Sequence, residues 1–294
     1  MIKHLVISGG GIGGFNLYGA LKYLSEKKVW DISNIKTMYT TSVGSYLGVI
    51  LSLSYEWETL DNYFIMRPWE KVFLITPEQI MNFWTNKGIL EDNITKLILE
   101  PLLVAKDLSI NITMLELYNY NNIEIHIYTT NLNSATPKLE DISYKTHPNL
   151  LVYKAMSMSS AIPILFPPVC DGSNCYIDGA LFNNFPLNSC INDNNPDEIL
   201  AYRMSFIDNR SNIDNSSNLY DYLFHLVESL RLLIATDNQQ ANINNIIECK
   251  MNHSLNTWKN ILVDSDTRKE LISNGIVDAE NFYKKFIKLN QGIE

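Results

Sequence analysis

Two turns near the start of the chain carry residue types suited to acyl-transfer chemistry. The first is Ser8-Gly9-Gly10-Gly11-Ile12-Gly13-Gly14, directly after the apolar run Leu5-Val6-Ile7. It offers a row of backbone N–H groups at a helix N-terminus, a cradle for negative charge such as an oxyanion. The second is Thr40-Thr41-Ser42-Val43-Gly44, directly after Ile35-Lys36-Thr37-Met38-Tyr39. Strand, sharp turn and apolar helix in that order lift a serine hydroxyl out as a nucleophile. A third stretch, Tyr176-Ile177-Asp178-Gly179-Ala180, places an acid at the end of a short strand, followed by a glycine.

Each stretch has a plainer reading. Gly9 to Gly14 also fits the dinucleotide pattern Gly-x-Gly-x-x-Gly, or a tight turn that binds nothing. The dinucleotide reading needs an acid at the end of the second strand, to hold ribose hydroxyls. That strand ends instead in Tyr39-Thr40-Thr41-Ser42. Ser42 before an apolar helix suits an N-cap, and Asp178 before glycine suits an ordinary turn. Ser42, Asp178 and His225 stand in the chain order of an α/β-hydrolase triad. His225, however, lies inside the helical run Leu223-Phe224-His225-Leu226-Val227, and the serine follows the second strand, too early for that fold. His4, His126, His147 and His253 show no catalytic setting.

Together with the segment from Ala155 through Pro163 to Phe166-Pro167-Pro168, the three stretches resemble the patatin-like phospholipase family over roughly residues 4–205. The resemblance implies a three-layer α/β sandwich, with a mostly parallel central sheet and helices on both faces. It implies an oxyanion loop at Gly9, Gly10, Gly11 and Ile12, and a nucleophile elbow formed by Thr40, Ser42, Val43 and Gly44. It also implies a Ser42–Asp178 dyad in which Asp178 takes the Ser42 proton directly, and neither metal nor cofactor. The substrate it implies is a fatty-acyl ester in membrane lipid or a lipid micelle.

Two residues depart from the family pattern. Thr40 stands where the elbow has its first glycine, so a β-branched side chain is expected to crowd strand and helix. Gly13 stands where many members carry Arg or Lys. An esterase or thioesterase for soluble acyl substrates, and a catalytically impaired lipid-binding relative, stay open as alternatives.

These turns need elements to hold them. The pattern predicts strands over 2–7 and 36–40, and helices over 15–27 and 43–54. That β-α-β-α order gives a parallel sheet with both turns side by side at its carboxyl edge. Residues 56–121 read as helices separated by turns. One of them carries Leu90, Ile94, Leu97 and Ile98 on one face and is expected to end at Pro101. The aromatic stretch from Trp57 to Trp84 is a candidate lid or membrane-facing surface, or plain core. Further strands are expected over 123–129 and 199–206, with helices over 150–161, 219–235 and roughly the last 30 residues. The Asn/Ser/Asp-rich loop 208–218 is expected to be mobile. The whole is expected to form one domain, with a helical extension over about 215–294.

The totals set the outer limits. A chain of 294 residues with 46% apolar content suits one large α/β domain with a substantial core. A net charge of -9 argues against nucleic acid as a partner, and against docking on an anionic membrane through bulk charge. Cys170, Cys175, Cys190 and Cys249 lack zinc-type spacing. A bridge between Cys170 and Cys175 is conceivable, but free thiols in a reducing compartment are the expectation. No signal peptide or membrane-spanning run is recognised, which points to the cytoplasm with peripheral membrane contact.

Overall fold

The structure is a computed structural model that describes residues 1–207, 213–217, 219–237, 241–252 and 255–291. Its first elements follow the glycine punctuation: β1 (His4–Ile7), α1 (Gly14–Glu26), β2 (Thr37–Thr41) and α2 (Val43–Ser52). Helices α3 (Trp57–Met66), α4 (Trp69–Val72), α5 (Pro77–Met81), α6 (Phe83–Asn86), α7 (Ile94–Val104) and α8 (Met114–Asn121) come next. Then come β3 (Glu124–Asn131), β4 (Lys138–Ile142), α9 (Val152–Ser159), the hairpin β5 (Val169–Asp171) and β6 (Asn174–Asp178), and α10 (Ala180–Asn183). The chain continues with α11 (Leu187–Asp193), β7 (Ile199–Ile207), α12 (Leu219–Asp237), β8 (Ile246–Asn252), α13 (Leu255–Val263) and α14 (Ser265–Gln291). Among the described residues, no helix is long and apolar enough to cross a membrane.

Eight strands form one sheet in the order β5-β6-β3-β2-β1-β7-β8, with β4 added on β3. The pairs β3–β2–β1–β7–β8 are parallel, and β4, β5 and β6 make antiparallel pairs at one side. Side chains alternate between two cores, as a strand's period of two requires. Leu5, Ile7, Met38, Leu200 and Tyr202 face the larger core, beneath α1, α2, α9 and α14. Val6, Tyr39, Tyr128 and Ala201 face a smaller one that α11 closes with Leu187 and Cys190. This is the mostly parallel sheet with helices on both faces that the motifs imply.

The pairing along β3 decides where the chemistry lies. β2 pairs with β3 in register from Thr37↔Glu124 to Thr41↔Tyr128. β6 pairs with it only from Asn131↔Tyr176 to Thr129↔Asp178, running the other way. β4 overlaps both stretches, from Ile127↔Ile142 to Asn131↔Lys138. A strand has two edges, so β4 occupies one and β2 and β6 share the other, end to end. Their carboxyl ends therefore meet head on.

Four sequence expectations change. The chain after residue 215 is not a helical extension: β8 completes the sheet, and α14 lies along α1. A Cβ on Gly275 of α14 would stand 1.8 Å from the Asn16 carbonyl, so the two helices touch backbone to backbone. Pro101 lies inside α7 and does not end it. A helical proline leaves the carbonyl four residues back without its donor, and Arg67 Nη2 donates to that carbonyl, Leu97 O. Cys170 and Cys175 are joined in a disulfide, correcting the expectation of free thiols; they are direct cross-strand partners in the β5–β6 hairpin. Cys190 and Cys249 are free and buried. The aromatic region divides, with Phe64 and Trp69 buried and Trp84 exposed. The loop expected to be mobile lies largely outside the described residues.

Candidate active site

Ser42 follows β2 with φ 53° and ψ -125°, a conformation that side-chain-bearing residues seldom adopt. The strain is held from several sides. The Ser42 carbonyl accepts from Ser45 N at 2.8 Å and from Ser45 Oγ at 2.6 Å. Its N–H donates to Ser159 Oγ at 2.9 Å, and Ser159 Oγ donates in turn to Tyr128 O at 2.6 Å. The Ser42 side chain makes no N-cap hydrogen bond to α2. Its hydroxyl donates instead to Asp178 Oδ2 at 2.6 Å. That direct contact leaves no room for an imidazole between the two groups, so His225, on α12, is not interposed. His253 lies outside the described residues.

Asp178 comes to Ser42 because β6 takes over the edge of β3 where β2 leaves it. The Asp178 N–H donates to Ala161 O at 3.0 Å, and Oδ1 accepts from Ala180 N at 2.7 Å. Both residues are almost fully buried, Ser42 at 3% and Asp178 at 4% exposure, so the serine sits in a recess and not on an open turn. The glycine after the acid is a matter of room. A Cβ on Gly179 would stand 2.3 Å from Tyr128 O, the carbonyl that also anchors Ser159.

The glycine loop ends β1, beside the end of β2. A Cβ on Gly9 would stand 3.0 Å from Ser42 Cβ, which places the loop against the serine. Gly11 has φ 52°, in the left-handed region that glycine enters freely. The N–H groups of Gly10, Gly11 and Ile12 meet no acceptor among the described residues. Gly9 N–H donates to Asn184 O at 3.0 Å, so Gly9 contributes shape and not a free donor. Gly13 faces Met204, where a Cβ would come within 2.6 Å of its Cε, so a larger residue there would have to displace the end of the Met204 side chain.

Thr40 fits the elbow for a reason the motif did not reveal. Its Oγ1 donates to His126 O at 2.8 Å on β3, and its Cγ2 packs where a Cβ on Gly48 would stand at 2.9 Å. Gly48, one turn into α2, thus supplies the space that glycine at position 40 would have given. Thr40→Gly should therefore leave turnover unchanged in the folded protein. It should cost about 2–3 kcal/mol of stability, from backbone entropy and lost packing in a fully buried position. Denaturant melts paired with single-point kinetics check both halves.

Sequence reasoning missed Ser159 and Asn184. The run Ser157-Met158-Ser159-Ser160 was visible, but nothing in it says which hydroxyl reaches the nucleophile's backbone. It also missed a buried hydroxyl cluster, in which Tyr46 Oη lies 2.7 Å from Thr95 Oγ1 and 3.1 Å from Ser160 Oγ. Burial, and then the negative charge of Asp178, push the Tyr46 phenol above its ordinary range, so it stays neutral beside the acid. Thr95 and Ser160 line a cavity of about 510 Å³ that continues past Ile89, Leu90, Phe166 and Val169.

The chain is 31% identical over 221 residues to a probable lipid hydrolase, 463L, of Invertebrate iridescent virus 6, covering 72% of this chain and 73% of that one. It is 27% identical over 234 residues to the uncharacterized protein R571 of Acanthamoeba polyphaga mimivirus, covering 76% and 74%. In fold it is similar to VipD from Legionella pneumophila, with a TM-score of 0.56 at 17% identity, over 97% of this chain and 67% of that one. The family model for patatin-like phospholipase matches residues 5–191, a span that holds the glycine loop, Ser42 and Asp178, and the chain belongs to that family.

Proposed function

We infer that the protein hydrolyses fatty-acyl esters of lipids, phospholipids foremost, through an acyl-enzyme formed on Ser42. Asp178 accepts the Ser42 proton as Oγ attacks the ester carbonyl. The N–H groups of Gly10, Gly11 and Ile12 receive the oxyanion. The alcohol leaves with the returned proton, and water then releases the fatty acid by the same steps. The observation that carries the reading is the 2.6 Å hydrogen bond from Ser42 Oγ to Asp178 Oδ2, in a recess beside unpartnered loop N–H groups. A carboxylate there serves as general base without an intermediary. The loop's fixed dipoles meet charge that develops only in the transition state.

A fluorophosphonate probe tests the assignment. It should label wild-type protein on Ser42, found by peptide mass, and leave Ser42→Ala unlabelled. Labelling elsewhere at the wild-type rate would refute it. Turnover of phospholipid micelles above that of a soluble short-chain ester would separate a lipid hydrolase from an esterase for soluble acyl substrates.

A further inference from the structure

The segment 74–84 presents apolar side chains to solvent beside the cavity of about 510 Å³, whose Thr95 and Ser160 hydroxyls meet Tyr46 of α2. Leu74, Ile75, Ile80, Met81 and Trp84 are each more than half exposed, Met81 to 81% and Trp84 to 73%. Ile80, Met81 and Trp84 fall within one helical turn of each other, on α5 and α6. Thr76 and Gln79 form a reciprocal capping box at the start of α5, Gln79 Nε2 donates to Glu91 at 2.9 Å, and Phe83 packs on Trp84. The same helices supply Gln79 and Asn86 to the wall of the 510 Å³ cavity that Ser160 and Thr95 also line. This short unit thus borders the cavity and also presents its largest apolar residues to water.

Charge narrows the choice of partner. Between residues 74 and 86 the single ionisable side chain is Glu78, and the whole chain carries a net charge of -9. Nothing in this segment attracts an anionic surface through basic residues. Exposed Lys71 and Lys87 flank the segment, but Glu70, Glu91 and Asp92 beside them offset both charges. Aromatic and aliphatic side chains without an excess of basic residues suit shallow burial in an uncharged or zwitterionic interface, where apolar area supplies the binding.

We propose that segment 74–84 is the element by which this protein enters a zwitterionic lipid surface, bringing the aggregate that holds its substrate up to the cavity beside the segment. The inference rests on the reading of the protein as a lipid hydrolase, and it names the partner of that site. Binding is driven by apolar burial, so it is indifferent to salt, which screens exposed charges.

The test is flotation with phosphatidylcholine vesicles, using the full chain carrying Ser42→Ala so that no lipid is consumed. The protein should float equally at low and high salt. Addition of Ile80→Ser, Met81→Ser and Trp84→Ser should weaken partition by about a hundredfold or more, since three exposed apolar side chains lose their burial. In the Ser42 background the same three changes should leave the thermal midpoint and hydrolysis of a soluble short-chain ester unaltered. Equal flotation of the triple variant would overturn the proposal, as would failure of the parent to float. Binding confined to anionic vesicles and released by salt would overturn it in favour of charge. A dimer dispersed by the three changes would assign the face to self-association instead. Flotation without any ester turnover by the Ser42 protein would defeat the catalytic reading and leave this one standing.

Discussion

Asp178→Asn should fold normally and lose about three orders of magnitude in kcat, the range general-base catalysis commands. Ala180 N–H donates to Oδ1 of the carboxylate and Ser42 Oγ–H to Oδ2. Asparagine has the same outline but one acceptor oxygen. Turning that oxygen to Ala180 leaves the amide NH2 against Ser42 Oγ, so the hydroxyl becomes the acceptor and its proton points away. Turning it to Ser42 sets two N–H groups against each other. In either rotamer no group takes the proton. The loss should appear equally in kcat and in the rate of fluorophosphonate labelling, with the thermal midpoint nearly preserved. Equal labelling of the variant and the wild type would end the dyad.

Gly44→Ala should damage fold and activity together. A Cβ there would stand 2.3 Å from Ile7 O and 2.8 Å from Ser8 O, both backbone atoms at the end of β1. Backbone held in a parallel sheet cannot swing aside, so α2 must shift, and Ser42 shifts with it. Overpacking of this kind costs about 1–3 kcal/mol or more. A displacement near 1 Å costs about a hundredfold in rate. Thermal denaturation and kcat together should therefore both fall. Gly172→Ala is the contrast. Its φ is +59° with nothing within 4 Å, so the added methyl meets only backbone strain, about 1–2 kcal/mol, and activity should stand. If the two variants behaved alike, steric approach at the elbow would not be what position 44 enforces.

The parts of the site that sequence made legible are those fixed by short-range chemistry. A strand, a glycine turn and an apolar helix are written within about a dozen residues each, so Ser42, Asp178 and the Gly10–Ile12 donors could be placed in order. What stayed hidden depends on neighbours distant in the chain. Ser159 matters because α9 ends beside Ser42, and Gly48 matters because it faces Thr40. The helix through Pro101 continues because Arg67, on the end of α3, reaches Leu97 O. Strand β8 went unread although Ile247-Glu248-Cys249-Lys250-Met251-Asn252 alternates apolar and polar residues; the run is short, and its register is set by β7. The Cys170–Cys175 bridge follows from a hairpin register that a count of cysteines does not contain.

The end-to-end meeting of β2 and β6 along β3 has a consequence for how such a protein can change. The Ser42 hydroxyl and the Asp178 carboxylate lie 136 residues apart in the chain. Their separation in space is set by one strand, which measures both against the same row of peptide groups. Whatever the chain does between leaving α2 and entering β3 does not alter that ruler. The intervening helices are tied to the sheet by packing, with Leu60, Phe64, Leu99 and Leu103 buried in the larger core. The exposed stretch around α5 and α6 has no such tie, so it is where the chain can be lengthened, shortened or exchanged while Ser42 and Asp178 keep their distance.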